Sequence, residues 1–284
     1  MALGGSGIEQ AAGRVVAIGG AERARADGSP ILRRFVELTG GARARLVVVA
    51  TASTDPEPVE IEYVEVLTRL GAGTVRALRL ESRQQANSDA TVEALSDATG
   101  VFFTGGDQTR IANVLGGTRV DSVLHTRLGA GAITVAGTSA GAAMMSGTMI
   151  IDSGEDGGIS AHSVRTGPGM EFLPGVLIDM HFAERHRLDR LLSAVALYPH
   201  ELGLGIDEDT AIVAEGGRFE VIGSGAVTVI DAGCANTIRT AEYDGKPLAM
   251  IGVCLHVMPA GYTFDLHGRC PSITATPDDD REVA

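Results

Sequence analysis

An α/β fold, built on a mostly parallel sheet with helices on both faces, is what the 284-residue chain predicts. Three observations carry that expectation. Short, largely β-branched apolar runs recur, each ending in Gly, Thr or Ser, as strands buried on both faces do. Helix-length amphipathic segments separate them, which is the alternation of βαβ units. Past residue 200 the pattern changes to extended runs broken by Gly-rich turns, as in antiparallel hairpins.

In chain order the strands are "GRVVAIGG", "ARLVVVATAS", "GTVRALRL", "GVFFTGG" and "AITVAGTS", with "PILRRFVELTG", "PVEIEYVEVLTRLG" and "TRIANVLGG" as helices between them. Val176 to Ile178 is a further buried strand, and "AERHRLDRLLSAVALYPH" reads as one helix. The runs "GLGIDEDTAIVAEGGRFEVIGSGAVTVIDAG" and "PLAMIGVCLHVMPAGYTFDL" are expected to finish the same sheet or cap its edge. One domain over residues 1–284 is expected, with 1–12 and about 274–284 frayed because neither offers a face to bury.

Composition narrows the function. An apolar share of 44% suffices for a buried core. No run approaches the roughly 18 apolar residues of a spanning helix, and the first residues lack the basic start and apolar centre of a signal peptide. A soluble, cytoplasmic protein is expected, with no membrane partner. The net charge of −13 argues against nucleic acid, whose phosphates need a cationic face. Cys234, Cys254 and Cys270 are not spaced as CxxC and are expected to be buried free thiols. No histidine–carboxylate cluster has metal-ligand spacing, so neither metal nor organic cofactor is expected.

Ligands of an open parallel sheet collect beyond the carboxyl ends of its strands. Four ends stand out: "AIGGAE", "FFTGGDQ", "GTSAG" and "DMHF". Gly137-Thr138-Ser139-Ala140-Gly141 fits GxSxG, in which small neighbours let a sharp strand-to-helix turn expose the serine hydroxyl. Taken alone, the pattern also suits a plain turn with Ser139 capping a helix. A serine nucleophile needs a base, usually an imidazole oriented by a carboxylate. His181 sits at the mouth of a buried strand, whereas His162, His186 and His200 lie in polar contexts. In "GLGIDEDTAIV", Glu208 alternates with Ile206 and Thr210 on one strand face, and Asp207 and Asp209 face the other way. The N–H groups of Gly106 and Ala140 would suit an oxyanion hole.

The motifs "FTGGDQ", "GTSAGAAMMS", "DMHFAERHRLDRL" and "GIDEDTA", in this order and spacing, resemble the cyanophycinase family of serine peptidases. The resemblance runs from about Val15 to Ala211. It implies a class I glutamine amidotransferase-like fold, a homodimer and hydrolysis of cyanophycin, a poly-aspartate whose side chains carry arginine, to β-aspartyl-arginine dipeptides. It further implies Ser139 as nucleophile, His181 as general base and then acid, and Glu208 as the group orienting His181. Gln108, Asp179, Arg185, Arg187 and Arg190 match the family's substrate-pocket positions. Planar guanidinium groups suit a polymer rich in carboxylates, although a solvated basic helix paired with Glu184 and Asp189 would show the same residues. Met180 departs from the glutamine usual in the family and alters the pocket beside His181. Glu155 and Asp156 are further candidates, for the substrate's arginine. The alternatives are an aspartyl dipeptidase of the same fold and a non-catalytic or nucleotide-binding homologue built on "VVAIGGAE". The last lacks a full GxGxxG, and Lys246, the only lysine, is not in a phosphate loop.

Overall fold

The computed structural model describes residues 13–22, 29–153, 158–160, 162–239 and 248–273. The termini expected to fray, and the pair Glu155 and Asp156, lie outside these residues. The first half alternates as the periodicity predicts: β1 (Arg14–Ile18), α1 (Pro30–Leu38), β2 (Arg45–Val49), α2 (Pro56–Arg69) and β3 (Thr74–Ala77). Helices α3 (Arg83–Ala86) and α4 (Asp89–Ser96) lead to β4 (Gly100–Phe103). Then α5 (Gln108–Leu115) and α6 (Arg119–Gly129) lead to β5 (Thr134–Thr138) and the single turn α7 (Ala140–Ala143).

Strands dominate the second half of the chain: β6 (Thr148–Ser153), β7 (Val164–Pro168) and β8 (Val176–Met180) precede α8 (Leu188–Leu197). Next come β9 (Leu202–Ile206), β10 (Thr210–Glu215), β11 (Arg218–Gly223) and β12 (Ala226–Asp231). The last are β13 (Thr237–Arg239), β14 (Ala249–Ile251), β15 (Cys254–Pro259), β16 (Tyr262–Asp265) and β17 (Cys270–Ile273).

Among the described residues, the main sheet runs β17-β16-β11-β10-β1-β5-β4-β2-β3. Its half from β1 to β3 is parallel, and β10, β11, β16 and β17 extend it antiparallel from β1. Because successive side chains face opposite ways, each parallel strand feeds two cores. Val16, Ile18, Leu46 and Val48 pack with Phe35, Tyr63 and Leu67 of α1 and α2. Val15, Ala17, Val47 and Val49 pack on the other face with Ile111, Leu124 and inward residues of a second sheet, including Ile178, Leu204 and Val227.

That second sheet, β15-β12-β9-β8, corrects the sequence reading in two places. The run ending at Met180 is not a strand of the main sheet; it pairs in parallel with β9. The C-terminal runs likewise divide, β10 and β11 joining the main sheet while β9, β12 and β15 form the second. Periodicity shows that a strand is buried on both faces but not which sheet buries it. Helix α8 covers the outer face of this second sheet through Leu191 and Val195 against Leu177 and Ile230.

Three local expectations also change. The helix read from residue 183 begins only at Leu188, because His181 and His186 hold φ of 49° and 50°, which break the turn. Residues 207–209 form the turn between β9 and β10 rather than an alternating strand, with Asp209 at φ 48°. The thiols are not buried: Cys234 and Cys270 are exposed and Cys254 is intermediate. Cys254 and Cys270 open the strands β15 and β17 at the sheet edges, and Cys234 lies in the loop after β12, so each stands away from the cores.

Candidate active site

Strand register brings the predicted strand ends together. Ile18 pairs with Thr138 and Phe103 with Gly137, so the loops after β1, β4 and β5 leave the sheet side by side. Met180 pairs with Ile206, so residues 181 and 207 leave the second sheet together. Backbone bonds then join the two sheets at this edge. The His181 N–H donates to Gly19 O (2.9 Å), and the Asp209 N–H to Gly20 O (2.8 Å).

Ser139 occupies the turn from β5 into α7 at φ 52° and ψ −111°, a conformation costing an L-residue about 1–3 kcal/mol. The surroundings enforce it. Its N–H donates to Ile18 O (2.9 Å), and its carbonyl accepts from Ala142 and Ala143 (2.9 and 3.0 Å). The flanking glycines permit a close crossing: a Cβ on Gly137 would stand 2.3 Å from Gly141 O, and one on Gly141 2.4 Å from Phe103 O. The hydroxyl makes no helix-capping bond, so the plain-turn alternative does not describe it. Ser139 Oγ lies 2.8 Å from His181 Nε2 instead.

His181 Nδ1 lies 2.6 Å from Glu208 Oε1. A carboxylate accepts, so Nδ1 carries the proton and Nε2 is left to accept from the serine hydroxyl. The three acids of "DED" divide their work. Asp207 accepts from the N–H groups of Ala183 (3.1 Å) and Ala226 (3.0 Å), and Asp209 accepts from the Ser224 hydroxyl (2.8 Å). Glu208 turns toward the imidazole, and its own N–H donates to Glu184 Oε2 (3.2 Å). One neighbour of the imidazole was not singled out from sequence: Gly20, whose α-carbon faces the His181 ring. The glycine pair at the end of β1 was the available signal.

At the loop after β4, Gly106 adopts φ 140° with its α-carbon against Ala52 O, and the α-carbon of Gly105 faces Ser139. Among the described residues, neither the Gly106 nor the Ala140 N–H has a backbone partner. Gln108, at the start of α5, donates through Nε2 to Ile150 O (2.8 Å) and Ile151 O (2.7 Å), tying its amide to β6.

The remaining predicted pocket residues form a second cluster. Asp179 is fully buried and accepts from Arg190 Nε (2.6 Å) and also from Arg190 Nη2. Arg187 Nη1 reaches Asp179 (3.4 Å), Met180 O (2.5 Å) and Met180 Sδ (3.1 Å). Burial, with Arg190 and Arg185 close by, pushes the Arg187 guanidinium down to about 10 despite the pull of Asp179. The partner of these arginines is thus Asp179, not Glu184 or Asp189. Arg185 is exposed. Together the three arginines line a cavity of about 340 Å³ with Ser153, Ser163 and His186. His162, His186 and His200 are exposed. Among the described residues, no group of three or more His, Cys, Asp or Glu could hold a metal ion, and no helix is long and apolar enough to cross a membrane.

The chain is similar to known proteins along most of its length. Residues 15–222 match the model of peptidase family S51. The chain is 37% identical over 257 residues to a cyanophycinase of Nostoc sp., covering 90% of this chain and 86% of that one. A cyanophycinase of Geminocystis herdmanii is 36% identical over 253 residues, covering 88% and 93%. The crystal structure of a peptidase from an acI-B1 actinobacterium superimposes with a TM-score of 0.65 at 20% identity, covering 90% of this chain and 98% of that one, a likeness of fold. With a matched family model spanning most of the chain and relatives above one-third identity along nearly all of it, the chain belongs to peptidase family S51, the serine peptidases that include the cyanophycinases.

Proposed function

We propose that the protein is a serine peptidase that cleaves the aspartate backbone of cyanophycin and releases β-aspartyl-arginine dipeptides. The observation that carries the chemistry is the hydrogen-bonded chain from Ser139 Oγ through His181 to Glu208. His181 takes the serine proton as Oγ attacks an aspartyl carbonyl, and Glu208 holds the imidazole in the required tautomer. The N–H groups of Ala140 and Gly106 receive the oxyanion. His181 then protonates the leaving amine, and water repeats the sequence on the acyl-enzyme. The substrate is supported by the likeness to the cyanophycinases and by the arginine-lined cavity, where the exposed guanidinium of Arg185 suits a carboxylate-rich chain. We also infer a class I glutamine amidotransferase-like sheet, supported by the parallel order β1-β5-β4-β2-β3 with Ser139 directly after β5. A homodimer is the assembly the family resemblance implies; light scattering would check it.

A second reading, an aspartyl dipeptidase, draws support from the commitment of Arg187 and Arg190 to Asp179, which leaves Arg185 as the exposed guanidinium. Incubation with cyanophycin and, separately, with α- and β-aspartyl dipeptides distinguishes the two. Dipeptide release from the polymer, abolished by Ser139→Ala, is expected. Cleavage of free dipeptides alone would favour the second reading, and cleavage of neither would overturn both.

A further inference from the structure

The loop after β1 carries a carboxylate that the acyl transfer does not use. Glu22 is 1% exposed. Its Oε1 accepts from Tyr63 Oη at 2.5 Å, and its Oε2 from Thr138 Oγ1 at 2.7 Å. Taking a carboxylate out of water is costly, and an apolar side chain would fill such a space without that cost. The two bonds are short, as charge-assisted O–H···O bonds are.

What the carboxylate joins explains its presence. Thr138 immediately precedes Ser139 and its strained backbone. Tyr63 is a buried residue of α2, its ring 4.7 Å from that of Phe102 in β4. Glu22 itself lies two residues beyond Gly20, against which the His181 ring rests. One side chain therefore links the strand end that holds the serine, the loop that backs the imidazole, and a helix packed on the sheet. A proton transfer between Oγ and Nε2 tolerates little displacement: about 1 Å of misplacement can cost on the order of 100-fold in rate.

We propose that Glu22 is a positioning residue, whose carboxylate fixes Thr138 and the β1 loop so that Ser139 Oγ and His181 Nε2 stay within hydrogen-bond reach. It touches no reacting atom and acts through Thr138 and Gly20. The inference rests on Ser139 being the nucleophile and His181 its base.

The test reads the rate at which a small fluorophosphonate labels the serine, alongside kcat, KM and the thermal midpoint. The labelling needs no knowledge of the substrate. Glu22→Ala is expected to slow labelling and lower kcat by about 30- to 100-fold while KM moves less than about three-fold, because geometry rather than binding is lost. Glu22→Gln, which keeps the shape and can still bond both hydroxyls, should recover to within about five-fold of wild type. Thr138→Val and Tyr63→Phe each remove one bond and should lower both rates by about 3- to 10-fold; they carry the test if Glu22→Ala does not fold. Absence of Ser139-dependent labelling in the wild type would overturn the nucleophile assignment and this inference with it. A wild-type labelling rate in folded Glu22→Ala, or in both hydroxyl variants, would overturn this inference alone, as would a loss confined to KM.

Discussion

A Cβ added to Gly20 would stand 2.2 Å from Cε1 of His181 and 2.8 Å from each ring nitrogen, so the imidazole rests directly on a bare α-carbon. Gly20 also holds φ 117°, a value unfavourable for any side chain. Gly20→Ala must displace either the ring or the loop. Its kcat should fall by about 100-fold or more with a far smaller change in KM. A variant with wild-type turnover would show that the ring has room to move.

Ser139→Ala should reduce hydrolysis by several orders of magnitude while far-UV circular dichroism and Tm stay close to wild type, since the hydroxyl caps no helix and its partner is His181. Glu208→Gln should lower kcat by about 100- to 10,000-fold, because an amide no longer stabilises the imidazolium that forms as the serine attacks. Steady-state kinetics of the two variants beside wild type check both effects.

The arginines should separate into structural and substrate-facing groups. Arg190→Ala leaves Asp179 buried with only the longer contact to Arg187, and breaking a buried pair costs about 3–5 kcal/mol. Denaturant unfolding should show that loss. Arg185→Ala should leave unfolding unchanged and raise KM on the polymer several-fold, because its guanidinium is exposed at the cavity. Equal stability of the two variants would contradict this division.

Met180 gives Arg187 a thioether partner at 3.1 Å. An amide oxygen is a stronger acceptor, so Met180→Gln should hold Arg187 more firmly and raise kcat/KM on cyanophycin by about 3- to 10-fold. An unchanged or poorer rate would indicate a pocket shaped for another substrate.

Glu201 should make stability depend on pH. It is buried, its Oε2 has no partner among the described residues, and burial pushes its carboxyl above the usual range, while the Thr148 hydroxyl and His200 pull the other way. A pKa raised on folding means that the native state favours the protonated form. That contribution to stability is fully present below the ordinary carboxylate pKa and is lost as pH rises through the folded value. Glu201→Gln should therefore raise Tm at about pH 7 and lose that advantage at about pH 4, relative to wild type at each pH. A Tm difference independent of pH would refute the assignment.

Local pattern alone determined much of this protein. The five β-branched runs, their parallel alternation with helices and the elbow at Ser139 are written in a few neighbouring residues each, because alternation and turn chemistry act over two to five positions. The family resemblance supplied His181 and Glu208 as partners for that serine. What sequence spacing could not decide was how distant pieces meet. Serine and histidine lie 42 residues apart, and histidine and glutamate 27. Their approach depends on β8 and β9 belonging to a second sheet packed on the first, and on the turn at residues 207–209 crossing between the two. The same packing turned Asp179 and Arg190 into a buried pair and closed the space behind Gly20. An apolar run carries the information that it will be buried, but its partner is chosen by which faces fit once all of them compete, and that choice exists only in the folded chain.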